Sequence, residues 1–373
     1  MKKLLVAAIV AASVLVASGC ERQNAPARGL AEGEISALLL TDATGIDDRS
    51  FNAAAWQGFL NFYGETWAST PSRGRLYDVL TAATMADYIP NLMMAVEEGY
   101  DLIVTAGFTW AEAVTTVATD SPDQNFLIVD VDWIDRPNVM QAIFAEHEGS
   151  FLVGAAAALQ AIEDGIENPS FGFIGGVAGA LITRFHVGFA QGVLYVLPNA
   201  ELRDHYVNSW GEPALARTQA INWFDDGVFA IFSAAGASGN GTIVEAREQR
   251  IRGNNVWAIG VDSDQFFEGV YTGPDGRENS AVLTSMLKRV ETSVVYALNA
   301  VRGGNFSGRT IRFDLPMDGV GFSTTNPALS AATAAEVDRI RQRIISGEIV
   351  VAETLASARQ TPNFPMTLWA LDG

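Results

Sequence analysis

Residues 39–58, Leu39-Leu40-Thr41-Asp42-Ala43-Thr44-Gly45-Ile46-Asp47-Asp48-Arg49-Ser50-Phe51-Asn52-Ala53-Ala54-Ala55-Trp56-Gln57-Gly58, decide how the chain is read. The apolar run 35–40 has the length and composition of a buried strand. It stops at Asp42, and a loop containing Gly45 comes next. Asp47 or Asp48 then stands where a helix N-cap belongs, ahead of Phe51, Ala54, Ala55 and Gly58 at helical spacing. A strand, a loop and a helix in this order project the loop from the carboxyl end of a sheet, where open α/β proteins bind ligands. The loop offers a flat ring, Phe51, with the hydrogen-bonding side chains Asp42 and Asn52 beside it. These side chains serve either a polar aromatic ligand or only the helix start and its packing.

The same alternation continues outward. Strands are expected at 76–80, 102–106, 125–130 and 139–144, with helices at 51–64, 88–98 and 110–120 between them. Gly99 is a good stop for the second helix. Such a series makes a parallel sheet covered by helices. A second series comes after it, with strands at 171–174, 204–207, 228–232 and 256–261. Its helices are expected at 151–162, 185–194, 214–224 and 241–249. A short strand at 281–284, a long amphipathic helix at 288–302 and a last helix at 331–346 complete the pattern. No linker separates the halves, so the spacing predicts two α/β lobes with a crossing near 143–149 and a cleft between them.

The 373 residues suffice for two domains, and 49% hydrophobic with 18% charged content fits a folded protein with large cores. A net charge of −19 argues against nucleic acid and against adsorption to anionic lipid, both of which need a basic face. At the amino terminus, Lys2 and Lys3 precede an apolar run, 4–16, that is short for a membrane span. The run ends Ala17-Ser18-Gly19-Cys20, which resembles a bacterial lipobox with Ala17 where Leu is usual. Residues 1–20 therefore read as a lipoprotein signal peptide with Cys20 as the lipidated residue, and 21–34 as a flexible tether. Cys20 is the one cysteine, which excludes disulfides within the mature protein and cysteine-based metal sites.

Catalysis has little support. His147, His186 and His205 stand in no metal spacing and beside no nucleophile elbow. Gly175-Gly176 succeeds a strand but lacks the dinucleotide spacing. No cofactor and no metal are expected. Binding is better supported. Asp262, just past the strand 256–261, either caps a helix after it or accepts hydroxyl hydrogen bonds. The glycines from Gly236 to Gly241 either serve a turn or let backbone N–H groups approach a ligand. Trp210 comes after the strand 204–207 as a second flat surface or a rim aromatic. Lys288 opens its helix, where a cation opposes the macrodipole, which hints at another use.

Taken together these pieces resemble the basic membrane lipoprotein (BMP) family, lipid-anchored substrate-binding proteins of ABC transporters related to purine nucleoside receptors. The resemblance is carried by Gly45 to Asn52, Phe171-Gly172-Phe173-Ile174-Gly175-Gly176, Arg184-Phe185 with Gly188-Phe189, and Gly239-Asn240-Gly241. Ile259 to Gln265 and Thr284 to Arg289 add to it, and the whole covers about residues 36–320. It implies a type I periplasmic-binding-protein clamshell: two Rossmann-like lobes with parallel sheets, joined by hinge strands. Lobe I would hold 35–145 with 280–308, and lobe II 146–279 with 309–373. The resemblance also implies a purine nucleoside held between Phe51 and Trp210, with Asp42 and Asn52 at the base edge and Asp262, Lys288 and the loop at Gly236 around the ribose. It implies a monomer without enzymatic activity, periplasmic or on the outer face of the cell membrane, touching the membrane only through lipidated Cys20. Its partners would be an ABC permease and its ATPase. A free purine base, another small polar ligand, or a role as a ligand sensor for a membrane receptor are the alternatives.

Overall fold

The structure, a computed structural model, describes residues 30–67, 76–273, 276–361 and 364. The signal peptide, Cys20 and most of the tether lie outside the described residues.

The first elements in chain order are β1 Ala37–Thr41, α1 Phe51–Tyr63, β2 Tyr77–Thr81, α2 Tyr88–Glu97, β3 Leu102–Thr105, α3 Ala111–Asp120, β4 Asn125–Val129 and β5 Val139–Phe144. Then come α4 Glu146–Glu163, β6 Ser170–Gly175, α5 Ala180–Val196, β7 Glu201–Tyr206, α6 Pro213–Asp225, β8 Val228–Ala234, α7 Asn240–Ile251 and β9 Trp257–Asp262. The hairpin of β10 Val270–Thr272 and β11 Glu278–Ser280 leads into β12 Val282–Lys288, α8 Val290–Arg302, β13 Arg309–Phe313, β14 Val320–Phe322, α9 Ala331–Ile345 and α10 Leu355–Ala358.

Two six-stranded sheets result. The first has the order β13-β5-β4-β3-β1-β2 and is parallel throughout. The second has the order β14-β12-β9-β8-β6-β7 and is parallel except for the antiparallel edge strand β14. Each order reverses direction once, which opens a crevice at the carboxyl ends of the strands. The two-lobed α/β architecture read from periodicity is present. The strand cores are apolar on both faces: β1, β3 and β8 are buried at every position, as central parallel strands must be.

The chain passes between the sheets three times: from β5 to α4, from β12 to α8, and from β13 to β14. The crossings are tied to one another. Ala145 N–H donates to Phe313 O at 3.0 Å, and Arg289 N–H donates to Gly319 O at 2.9 Å. The lobe boundaries drawn from sequence at 280 and 308 need correction. The segment 282–288 pairs with β9 in the second sheet, and 309–313 pairs with β5 in the first. A strand succeeded by a helix reads as one unit of one lobe, but the chain crosses between them, at Arg289. The helix α8 then packs on α1 in the first lobe. The short β13 belongs there because Phe313, 1% exposed, stacks on Phe144 with ring centroids 5.2 Å apart.

In the second lobe α4 lies against α5 closely enough that side chains are excluded. A Cβ on Gly192 would stand 2.1 Å from Phe151 O. Both helices extend further than the apolar spacing indicates, α4 beginning at Glu146 and α5 at Ala180. The polar start of α4 brings Glu146 to the region between the lobes, and the apolar first turn of α5 leads to Arg184, which meets it there.

Candidate functional site

A cavity lies between the lobes. Asp42, Phe51, Asn52, Trp210, Gly236, Asp262 and Lys288 all line it. Residues separated by up to two-thirds of the chain meet there because each stands at or just beyond the carboxyl end of a parallel strand, or in the helical turn after it.

At the first-lobe end, Asp42 comes directly after β1 and Asn52 lies in the first turn of α1. Asp42 Oδ1 accepts from Thr44 N–H at 3.0 Å, from the Thr44 hydroxyl, and from Asn52 Nδ2 at 3.1 Å. Asn52 Nδ2 also donates to Thr44 Oγ1 at 2.8 Å. Asn52 Oδ1 is buried and accepts from no group among the described residues. Phe51 stands beside them, its edge 3.6 Å from where a Cβ on Gly107 would be.

Asp48 settles the question of the cap. It is 4% exposed, and its carboxylate accepts from the backbone N–H groups of Ser50, Asn52 and Ala53 at 2.8–3.0 Å. Burial pushes its carboxyl up to about 6, against the pull of those three N–H donors. Asp48 thus holds the start of α1, and so the placement of Phe51 and Asn52, while also reaching the cavity wall.

On the second lobe, Trp210 lies beyond β7 against two glycines. A Cβ on Gly176 would fall 2.2 Å from the ring, and one on Gly236 3.7 Å from it. Gly236 has φ 55°, a left-handed conformation that suits glycine. In the same turn Ser238 faces away from the cavity. Its N–H donates to Trp210 O at 2.9 Å and its hydroxyl to Ser209 O at 2.9 Å, which fixes the loop that carries the indole.

Asp262 ends β9 at φ 64° and is 8% exposed. It does not cap the turn after the strand; Asp264 does, accepting from Phe266 N–H at 3.2 Å. Asp262 Oδ2 instead accepts from the hydroxyl of Ser50, in the opposite lobe, at 2.6 Å. Burial raises its carboxyl to about 7, opposed by the charge of Lys288 and the Ser50 hydrogen bond. Further bonds bridge the lobes beside it: Ser263 Oγ to Ser50 O at 3.1 Å, Gln265 Nε2 to Arg49 O at 3.0 Å, and Asn240 Nδ2 to Asp48 O at 3.2 Å.

Lys288 is the last residue of β12, and α8 starts two residues later, so the expected clash with a helix dipole is absent. The side chain is 1% exposed. Its Nζ donates to Asp130 Oδ1 at 2.6 Å and pairs with Glu146 Oε1 at 3.1 Å. Arg184 Nε holds the other Glu146 oxygen at 2.7 Å. Burial works against the ammonium, but Asp130, Glu146 and Asp262 outweigh it and keep Lys288 charged. The ammonium also lies 5.1–5.6 Å from the ring centroids of Phe51, Phe144 and Phe185. One of its three N–H donors is free of Asp130 and Glu146.

Several lining residues were not singled out from sequence: Thr44, Asp130 and the turn Ala106 to Thr109, while Phe185 was noted only as part of the family pattern. Asp130 carried the same signal as Asp42 and Asp262, an acid at the carboxyl end of an apolar strand. Like Asp262 it is left-handed, at φ 65°. Among the described residues no cluster of three or more His, Cys, Asp or Glu is placed to hold a metal ion, and no helix is long and apolar enough to cross a membrane.

Residues 35–354 match the family described as ABC transporter substrate-binding protein PnrA-like, Bmp. The chain belongs to the Bmp family. Its Bmp relatives include the ABC transporter nucleoside-binding protein BmpA of Lactococcus lactis, 33% identical over 358 residues, with 94% of this chain and 99% of that protein covered. The CD4+ T-cell-stimulating antigen of Listeria innocua is 37% identical over 323 residues, covering 86% and 88%. Among solved structures, an ABC transporter solute-binding protein from Aeropyrum pernix superposes with a TM-score of 0.72 at 27% identity, covering 87% of this chain and 95% of that one. The Bmp fold is thus that of the periplasmic binding proteins, and this member is an ABC transporter substrate-binding protein.

Proposed function

We propose that this Bmp protein captures a purine nucleoside outside the cytoplasm and delivers it to an ABC permease without altering it chemically. The observation that carries the reading is a cavity walled by an aromatic from each lobe, Phe51 and Trp210, with acids at both ends. A purine presents two π faces to such walls, and stacking on an aromatic is worth about 1–3 kcal/mol per base. Asp42 and Asn52 stand where hydrogen bonds to the base edge would orient it. Asp262 has one carboxylate oxygen beyond the Ser50 bond, and Lys288 one N–H beyond its two acids. A ribose diol fits an acceptor beside a donor. A ligand that touches both lobes favours the closed arrangement through that contact. Lipidation at Cys20 would hold the protein at a membrane surface, as a monomer facing its permease.

The test is calorimetry on the purified full-length chain in mild detergent, refolded to strip carried-over ligand. It is titrated with adenosine, guanosine, inosine, uridine and adenine. Saturable binding of purine nucleosides, weakened in Phe51→Ala, is the expected result. A well-folded protein that binds none of them overturns the nucleoside reading and leaves the family assignment intact.

A further inference from the structure

We infer that Gln265 is a positioning residue that clasps the two lobes together and so governs how long a ligand is held, without touching it. The inference rests on the purine nucleoside reading above for one of its two readouts. Gln265 comes shortly after β9 in the second lobe and is 4% exposed. Both ends of its amide are engaged. Oε1 accepts from Val261 N–H of its own lobe at 2.9 Å, and Nε2 donates to Arg49 O of the first lobe at 3.0 Å. Its backbone N–H donates to Ser285 Oγ at 3.0 Å, and Gly260 leaves room for its side chain: a Cβ there would stand 2.9 Å from Oε1. The two partners of the amide are backbone groups of fixed polarity. Turned over, the amide would set its oxygen against the Arg49 carbonyl and its NH₂ against the Val261 N–H, so it fits in one sense only.

What receives it is a strip of main chain. Asp48, Arg49 and Ser50 each offer a carbonyl to the second lobe. Asp48 O accepts from Asn240 Nδ2 at 3.2 Å, Arg49 O from Gln265, and Ser50 O from Ser263 Oγ at 3.1 Å. Asn240 Oδ1 also accepts from Gln265 Nε2 at 3.2 Å, which ties two of these donors together. Arg49 is left-handed, at φ 58°, a conformation that is costly for a residue with a β-carbon. Such strain persists where the surroundings enforce it. Here the Asp48 carboxylate holds the N–H of Ser50 on one side, and the donors of the second lobe hold the carbonyls on the other. Gln265 and Asn240 lie outside the cavity wall, in family stretches to which the ligand reading gives no role. Their bonds to the first lobe exist only while the lobes are together. Each one weights the closed form, and a trapped ligand leaves only after they break.

Gln265→Glu tests the clasp, because it keeps an acceptor for Val261 and replaces the donor to Arg49 with an oxygen. Asn240→Ala, half-buried at the start of α7, removes the neighbouring bond and carries the test if Gln265→Glu does not fold. A melting curve shows whether each variant is folded. Neutron scattering of the ligand-free, full-length chain in contrast-matched detergent, at about pH 7.5 where an added carboxylate is ionised, reads the separation of the lobes. Both variants should have a larger radius of gyration than the wild type. Stopped-flow kinetics with guanosine, inosine and adenosine should show dissociation about tenfold faster, about 1.4 kcal/mol for one hydrogen bond lost with its partner left unpaired, and association no slower. The factor should be the same for all three, because the clasp touches none of them, whereas a distorted cavity would alter their ranking. Folded variants with the wild-type radius overturn the clasp, whether or not nucleosides bind. Unchanged dissociation, or a loss that differs among the three nucleosides, overturns its hold on the ligand. A wild type that binds none of them, with variants that open, overturns the nucleoside reading and supports the clasp.

Discussion

Ser50 of the first lobe donates to the carboxylate of Asp262 in the second at 2.6 Å, so the two lobes are joined through a side chain that also walls the cavity between them. The contact buries Asp262 and raises its carboxyl to about 7, with Asp48 and Asp130 adding to the rise and Lys288 opposing it. When the lobes part, water reaches the carboxyl and returns it toward 3.8. The closed form thus binds more protons than the open form between these values. Closure is fully supported below about pH 4 and loses that support as pH rises through about 7. Small-angle scattering of ligand-free protein should show a larger radius of gyration at pH 8 than at pH 5.5. The difference should disappear in Asp262→Asn.

Lys288 is the cation on which two buried acids depend. Lys288→Met would leave Asp130 and Glu146 facing each other with Arg184 alone to compensate. Removing one partner of a buried ion pair costs about 3–5 kcal/mol. Urea denaturation should show a loss of that size, and Lys288→Met with Asp130→Asn should recover part of it. Equal stability of Lys288→Met and the wild type would contradict the buried network.

Gly176 leaves room for the face of Trp210. In Gly176→Ala the new methyl would fall 2.2 Å from the indole, so the ring must swing away. Nucleoside affinity should drop by about tenfold or more as one stacking wall is lost. The melting temperature should move little, because the cavity rim yields more easily than a packed core.

Gly192 has no such freedom. A methyl there meets the carbonyl of Phe151 at 2.1 Å, backbone against backbone, between α4 and α5. Overpacking of this kind costs about 1–3 kcal/mol, so Gly192→Ala should lower the melting temperature by several degrees. Ligand affinity measured well below the transition should stay close to that of the wild type.

The lobes were legible because central parallel strands are continuous apolar runs and the helices between them carry a 3.6-residue pattern. The cavity residues at strand ends were legible for a related reason: an Asp directly after such a run has few structural uses. Residues 309–313 carried no comparable signal. Arg309-Thr310-Ile311-Arg312-Phe313 is short and carries two arginines, as an edge strand can, and its pairing with β5 and the stacking of Phe313 on Phe144 assign it to the first lobe. Lys288 was recognised as unusual for a reason the structure does not support, since it ends a strand and begins no helix. Its partner Asp130 lies 158 residues away in sequence, and nothing local to either position announces the pair. Thr44 is equally silent in the sequence, because it is tied to the cavity wall through its contacts with Asp42 and Asn52.

The strand β13 pairs with β5, Arg309 opposite Met140, after the whole second sheet except its edge strand has been laid down. The first lobe therefore lacks an edge until most of the chain is available, and no single cut yields two finished halves. A contact between such distant segments is slow to form, because a long loop must close before the pairing rewards it. The two lobes of such a chain are completed together, late in folding.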